Sequence, residues 1–87
     1  MALVVQKYGG TSVADTQRIR NVARRVVDRT RSGDRVVVVL SARAGDTDRL
    51  LQLANEMSTD PDPRETDVLL STGEQITIAL FSMAAPM

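Results

Sequence analysis

Apolar residues form two short uninterrupted runs in the first half of the chain. Residues 3–5 lead into Lys7, and residues 36–40 end at Ser41. Continuous apolar runs of this length are typical of strands that are covered on both faces, as in parallel sheets. The pattern therefore predicts two buried β-strands.

Between these runs, apolar residues recur at helical spacing, and arginines occupy many of the remaining positions. This arrangement predicts an amphipathic helix that Gly33 ends. A strand, a helix and a second strand in succession predict a βαβ unit with parallel strands and a right-handed crossover. The apolar positions of the helix are Ile19, Val22, Ala23, Val26 and Val27.

The second half of the chain has a helical pattern throughout. Residues 47–57 predict a helix with Asp46 or Thr47 as its N-cap, and residues 58–63, STDPDP, predict a turn-rich connector. A last helical region is expected from about Arg64, with an interruption at Thr72-Gly73, where glycine adopts a conformation that other residues avoid. The residues expected to mark its buried face are Ile76, Ala79, Leu80 and Met83.

The pattern predicts helices whose apolar faces exceed what two strands could cover. Sheets in globular proteins average about five or six strands, and two parallel strands leave both edges of a sheet unpaired. We therefore expect residues 1–87 to be the N-terminal portion of a larger, truncated α/β domain.

Composition excludes several classes of function. The chain has 87 residues, 11 basic against 11 acidic, and neither cysteine nor histidine. This argues against a disulfide framework, a thiolate or histidine zinc site and a histidine-dependent triad. Because its net charge is zero, the chain has no overall electrostatic attraction to nucleic acids or anionic membranes. No apolar run is long enough for a signal peptide or a membrane span, so a cytoplasmic protein is expected.

Residues suited to bind an anion follow the two predicted strands. Lys7 and Gly9-Gly10 follow the first strand, and Ser41 follows the second. Ligands of parallel sheets collect at the carboxyl ends of strands. Paired glycines let the backbone approach phosphates, and the helix that follows would direct its N–H groups toward them. A strand that simply ends at solvent, followed by a turn, fits the spacing equally well, since neither GxxxxGK[ST] nor GxGxxG is present.

Three stretches resemble the aspartokinases of the amino acid kinase family. KYGGTSV is similar to their KFGGTSV, VVVVLSARAGDTDRLLQLA to VVVVSAMAGxTDxLLxLA, and RETDVLLSTGEQITIALFSMA to RELDxLLSTGEQ(V/I)xxALLxMA. Together they cover most of the chain in the same order. The departures are Tyr8 for phenylalanine, Ala14 where glycine is frequent, Arg43 where methionine is common, and the closing AAPM.

The resemblance implies a three-layer α/β/α amino acid kinase fold, carbamate kinase-like, of which this chain would hold the N-terminal βαβ-plus-helices portion without a regulatory domain. It also implies transfer of the ATP γ-phosphoryl group to the side-chain carboxylate of L-aspartate, in lysine, threonine and methionine biosynthesis. Mg²⁺ would be held mainly by the nucleotide phosphates. The full-length enzyme would be a homo-oligomer without nucleic-acid or membrane partners, and this portion alone would be inactive.

The resemblance also implies roles for nine residues, none of them a metal ligand. Lys7 would be catalytic and would neutralise charge on the transferring phosphoryl group. Residues expected at the ATP site are Lys7, Tyr8, Gly9, Gly10 and Ser41; those expected at the aspartate site are Thr11, Ser12, Thr47 and Glu74.

Simpler interpretations stay open for several of these residues. Thr47 fits a plain helix N-cap, Glu74 fits an acid in the first turn of a helix, and Ser41 fits the end of a strand. Two other functions also fit the sequence. One is a different small-molecule kinase of the same fold, and the other is an inactive remnant or interaction fragment.

Overall fold

The computed structural model describes residues 1–85. These residues form two strands and three helices in the order strand, helix, strand, helix, helix, and a short 3₁₀ segment, Gly10–Val13, follows the first strand. The elements are β1 Leu3–Tyr8, α1 Thr16–Arg31, β2 Arg35–Leu40, α2 Asp46–Met57 and α3 Pro63–Ala84.

The two strands pair in parallel, as the sequence predicts. The register runs from Leu3 opposite Arg35 to Tyr8 opposite Leu40, and α1 connects the two strands. The predicted succession of strand, helix and parallel strand is therefore confirmed. Parallel pairing places the carboxyl ends of both strands at one edge of the sheet.

Helix α1 packs its apolar face on the sheet. The Asp15 carboxylate caps the helix by accepting the Arg18 N–H at 2.8 Å, and Gly33, at φ +101°, follows its C-terminus, where a side chain would be strained. The predicted buried set is confirmed, with Val27 partly buried and the rest buried: Ile19, Val22, Ala23 and Val26.

The prediction of strands covered on both faces is wrong for residues 1–85. Helices α1 and α3 both pack on the face formed by Val36, Val38 and their neighbours. Side chains alternate between the two faces of a strand, so every second residue points away from these helices. The residues that point away are between 44% and 67% exposed: Leu3, Val5, Val37 and Val39.

Helix α2 begins without a side-chain cap. Gly45 occupies the N-cap position at φ +88°, and the helix has no side-chain cap hydrogen bond. The expectation of an Asp46 or Thr47 cap is therefore wrong, since both residues already lie inside the helix. The positive φ at Gly45 supplies the turn that a capping residue would otherwise make.

Helix α3 is continuous, and the predicted interruption at Thr72-Gly73 is wrong. Asp62 caps the helix by accepting the Arg64 N–H at 2.8 Å, and the helix continues through Gly73 to Ala84. Gly73 is glycine because of a close approach: a Cβ there would lie 3.0 Å from the Ala42 Cβ and 3.6 Å from the Leu50 Cδ1.

The buried face of α3 also differs from the predicted one. Its buried residues are Gly73, Thr77 and Phe81, with Leu80 partly buried. Of the other predicted positions, Ile76 and Ala79 are exposed, and Met83 is 77% exposed. The contact with α1 and α2 turns the face of Thr77 inward, and the Thr77 hydroxyl donates to the Gly73 carbonyl at 3.3 Å. Buried hydroxyl groups are normally hydrogen-bonded, and this bond satisfies the hydroxyl of Thr77.

Pro86 and Met87, which end the AAPM segment, lie outside the described residues. Across residues 1–85, none of the helices combines the length and apolarity that a membrane span requires.

Candidate functional site

The carboxyl ends of β1 and β2 meet at one edge of the sheet, as predicted. The Ser41 N–H donates to the Tyr8 carbonyl at 3.2 Å, which extends the strand pairing by one bond. Lys7 lies opposite Val39 in the register. Lys7, Gly9-Gly10 and Ser41 therefore lie at the same edge.

The side chains of Lys7 and Tyr8 lie on opposite faces of the sheet. Lys7 is exposed and follows Leu3 and Val5 on the face without helices. The Tyr8 ring packs against the core below α1, and its hydroxyl donates to the Gln6 Oε1 at 2.9 Å. At this edge, Tyr8 thus offers its backbone rather than its ring, whereas Lys7 offers an ammonium group.

The two glycines have different surroundings. A Cβ on Gly10 would lie 3.0 Å from the Ala42 carbonyl oxygen and 3.3 Å from the Ala44 nitrogen, whereas one on Gly9 would meet nothing within 4 Å. The Ala44 N–H also donates to the Gly10 carbonyl at 3.1 Å. Gly10 therefore joins the segments that follow β1 and β2, and Gly9 leaves open space at the edge.

A 3₁₀ segment separates the glycines from α1, the helix expected to direct its N–H groups at an anion. This helix begins at Thr16, after the 3₁₀ segment, and the Asp15 carboxylate already accepts the Arg18 N–H. The first element after the glycines is the 3₁₀ segment, which has no side-chain cap.

Thr11 and Ser12 are exposed and border a surface cleft of about 340 Å³. The remaining lining residues are Arg18, Asn21, Val22 and Arg25. The Arg18 Nη1 donates to the Thr11 carbonyl at 3.0 Å, which holds the 3₁₀ segment against α1. Hydroxyl and guanidinium groups predominate in this cleft, so its chemistry favours anions.

Thr47 and Glu74 lie on exposed helix surface. Thr47 is the second residue of α2. Glu74 follows Gly73 in the middle of α3, eleven residues after the helix begins at Pro63. The simpler interpretations of these residues, as an N-cap and as a first-turn acid, therefore do not apply.

The polar side chains at this edge have few partners in the protein. Within residues 1–85, no hydrogen bond or ion pair engages the side chains of six predicted site residues. They therefore remain available to a ligand. These residues are Lys7, Thr11, Ser12, Ser41, Thr47 and Glu74.

An ion pair at this edge was not predicted from the sequence. The Arg43 Nε lies 2.9 Å from the Asp46 Oδ2, and both side chains are largely covered. The available signal was the spacing of Arg43 and Asp46, three residues apart across the start of α2, where oppositely charged side chains can meet. The packing of Gly73 on Ala42 had no signal in the local pattern.

The polar groups at this edge are of the kinds that bind anions. Within residues 1–85, no three acidic side chains are grouped closely enough to hold a metal ion. The donors at the edge are instead hydroxyls, backbone N–H groups and one ammonium, which fit phosphate or carboxylate groups better than a cation.

The chain is similar to known proteins over nearly its whole length. The model of the amino acid kinase family matches residues 2–86. Aspartokinases from Pseudomonas aeruginosa and Mycolicibacterium smegmatis are each 58% identical over 84 residues, covering 97% of this chain and 20% of the relative. The crystal structure of aspartate kinase from Synechocystis matches with a TM-score of 0.92 at 51% identity, covering 95% of this chain and 14% of that one. The chain thus spans about a fifth of the length of these curated relatives.

Proposed function

The chain belongs to the amino acid kinase family, and we propose that it is the N-terminal part of an aspartate kinase. The reaction would transfer the γ-phosphoryl group of ATP to the side-chain carboxylate of L-aspartate and give 4-phospho-L-aspartate, which feeds lysine, threonine and methionine biosynthesis. The observation that carries the proposal is the 58% identity to aspartokinases over 97% of the chain. The unpartnered polar side chains at the sheet edge support it.

The chemistry needs no general base from this chain. A carboxylate with a reference pKa of about 3.9 is already ionised at neutral pH. One of its oxygens would attack the γ-phosphorus, the bond from that phosphorus to the bridging oxygen would break, and ADP would leave with the electron pair. Transfers of this kind depend mainly on positioning and on charge stabilisation. This agrees with a chain without histidine or cysteine.

We assign the charge stabilisation to Lys7. Its ammonium is exposed at the carboxyl end of β1 and has no carboxylate partner within residues 1–85. It is therefore free to neutralise oxygens of the transferring group. Gly9 and Gly10 would admit the phosphates close to the backbone, with Ser41 and the backbone of Tyr8 beside them.

We assign the aspartate site to Thr11, Ser12, Thr47 and Glu74. Hydroxyl groups would hydrogen-bond the substrate carboxylates, and the Glu74 carboxylate would pair with the substrate ammonium. All four side chains are free of protein partners in the described part of the chain. Mg²⁺ would bind mainly through the nucleotide phosphates, as the resemblance to aspartokinases implies.

The test is phosphoryl transfer by the full-length protein that contains these residues. ADP release is followed with L-aspartate, L-glutamate or uridine monophosphate as acceptor, and hydroxylamine traps an acyl phosphate as its hydroxamate. We expect ADP and aspartyl hydroxamate in equal amounts with aspartate alone. Activity with glutamate or uridine monophosphate instead would indicate a different kinase of the same fold.

Inactivity with every acceptor would favour a remnant or an interaction fragment. The intact mass of the protein from its native source separates these cases at the outset. A species near the length of the relatives, about five times that of this chain, fits an enzyme, whereas a species of 87 residues fits a fragment.

A further inference from the structure

The loop of residues 41–45 contacts each of the segments that carry the proposed site residues. A Cβ on Gly10, in the segment after β1, would lie 3.0 Å from the Ala42 carbonyl oxygen, and one on Gly73, beside Glu74, would lie 3.0 Å from the Ala42 Cβ. The loop then continues directly into α2, which carries Thr47. The loop therefore adjoins both the proposed phosphate-binding residues and the proposed aspartate-binding residues.

Arg43 and Asp46 tie this loop to the first turn of α2. The Arg43 Nε donates to the Asp46 Oδ2 at 2.9 Å, and the Asp46 N–H donates to the Arg43 carbonyl at 3.0 Å. The two side chains are 30% and 13% exposed, respectively. Charges that are largely covered are screened less by salt than charges in open solvent, so this pair affects its surroundings more than a surface pair would.

The charges around Thr47 make the pair important for an anionic ligand. Asp46 and Asp48 flank Thr47 in the first turn of α2. The Asp46 Cβ also lies 3.9 Å from the position of a Cβ on Gly73, so the Asp46 side chain lies next to the segment that carries Glu74. An unpaired carboxylate there would repel the carboxylates of aspartate. Arg43 supplies the opposite charge.

We propose that Arg43 is a positioning residue for the acceptor substrate: it neutralises the Asp46 carboxylate beside Thr47, so that Thr47 can receive a substrate carboxylate. The inference rests on the proposed function. Arg43 acts through Asp46 and not on the transferring phosphoryl group, so its loss affects aspartate binding and leaves the chemical step intact.

The test compares four variants of the full-length protein: Arg43→Met, Asp46→Asn, the double variant, and Arg49→Met as control. Arg49 is an exposed residue of the same helix, without an ion pair within residues 1–85. For Arg43→Met we expect the KM for aspartate to rise about fivefold, the scale of one partly screened charge pair. The kcat and the KM for ATP should stay unchanged, as should all constants of the control.

The double variant distinguishes charge balance from a merely structural role. Because it removes both charges, it should restore most of the affinity for aspartate, and Arg43→Lys should behave like the wild type. Thermal unfolding is followed for each variant. If Arg43→Met fails to fold, Asp46→Asn alone tests the inference. This variant lacks the negative charge that Arg43 neutralises, so its KM for aspartate should be unchanged or lower than that of the wild type.

Three results would overturn the inference. These are an unchanged KM in a folded Arg43→Met, a double variant as impaired as the single one, and a raised KM in Asp46→Asn. In each of them the wild type still phosphorylates aspartate, so the proposed function stands. A wild type that does not phosphorylate aspartate overturns both together.

Discussion

The two ends of the sheet use their polar groups in different ways. At the amino end, the Asp34 carboxylate accepts the Ala2 N–H at 2.9 Å and pairs with the Arg29 Nε at 2.6 Å. The Arg35 N–H donates to the Ala2 carbonyl at 2.8 Å. These groups bind each other, so this end is a structural clamp between α1 and the starts of both strands.

At the carboxyl end, the backbone provides the connection and the side chains stay free. Gly10 and Gly73 allow close packing on Ala42, and the Arg43–Asp46 pair closes the loop. Lys7 and the hydroxyls around it have no partner in the described part of the chain. The difference shows that clusters of polar residues can serve different purposes. Polar groups that bind each other stabilise the fold, whereas polar groups that the backbone holds apart are available to a ligand.

Lys7 and Arg35 allow the most direct test of this comparison, because both are cations on the face of the sheet that no helix of residues 1–85 covers. In the full-length protein, Lys7→Ala should lower kcat by roughly 10²–10³-fold, the effect of removing one preorganised charge from a transition state. Arg35→Ala should leave kcat unchanged. The free energy of unfolding of both variants should lie within about 0.5 kcal/mol of the wild-type value, as is usual for surface substitutions. Equal kcat losses would mean that the two ends do not differ in function.

Gly10 and Gly9 test whether backbone packing holds the carboxyl end together. Gly10→Ala would place a methyl group 3.0 Å from the Ala42 carbonyl oxygen, so we expect the free energy of unfolding to fall by about 1–3 kcal/mol. Gly9→Ala meets no atom within 4 Å, and its φ of −78° and ψ of 174° suit alanine. Denaturant titration should therefore show little change for Gly9→Ala. A destabilised Gly9→Ala beside a stable Gly10→Ala would contradict this packing.

Glu74 and Glu65 test the availability of carboxylates along one helix. Glu65 lies in the first turn of α3, whereas Glu74 follows Gly73 beside the loop. If Glu74 pairs with the substrate ammonium, Glu74→Gln should raise the KM for aspartate about tenfold, since a hydrogen bond to a charged group contributes about 1.5–3 kcal/mol. Glu65→Gln should leave steady-state kinetics unaltered. A KM that changes equally in both variants would remove the assignment.

Local patterns were sufficient to predict the βαβ unit and the edge at which Lys7 and Ser41 lie. The apolar runs before Lys7 and Ser41 and the spacing of Ile19, Val22 and Val26 are properties of neighbouring residues, and the structure has the elements they predict. Parallel pairing then places Lys7 and Ser41 at one edge without further information.

Contacts between distant segments could not be predicted in this way. Gly73 was expected to break a helix, yet it is glycine because Ala42 approaches it, and this depends on how α3 packs. The buried face of α3 was misjudged for the same reason, because Thr77 is buried by its neighbours and not by its own polarity. The roles of the nine candidate residues remain predictions that came from the resemblance.

Substitution of Asp34 has the smallest expected effect, a change in the pH dependence of stability that is confined to the amino end of the sheet. The Ala2 N–H, above all, lowers the pKa of the Asp34 carboxyl; burial opposes this change, and Arg29 adds to it. A carboxyl whose pKa is lower in the folded protein stabilises the fold above its unfolded pKa of about 3.9. This stabilisation is lost as the pH falls through the lower folded pKa.

Asp34→Asn should therefore reduce the steepness with which acid weakens the amino end. Hydrogen exchange of the Arg35 amide, which bonds to the Ala2 carbonyl, measures this locally in the full-length protein. In the wild type its protection should fall more steeply below about pH 4 than in the variant, after correction for the intrinsic exchange rate. Because Asp34 lies at the opposite end of the sheet from Lys7, kcat and both KM values should be the same in wild type and variant at neutral pH. A changed KM for aspartate would show that the clamp and the carboxyl edge are coupled, and that the two ends are not independent.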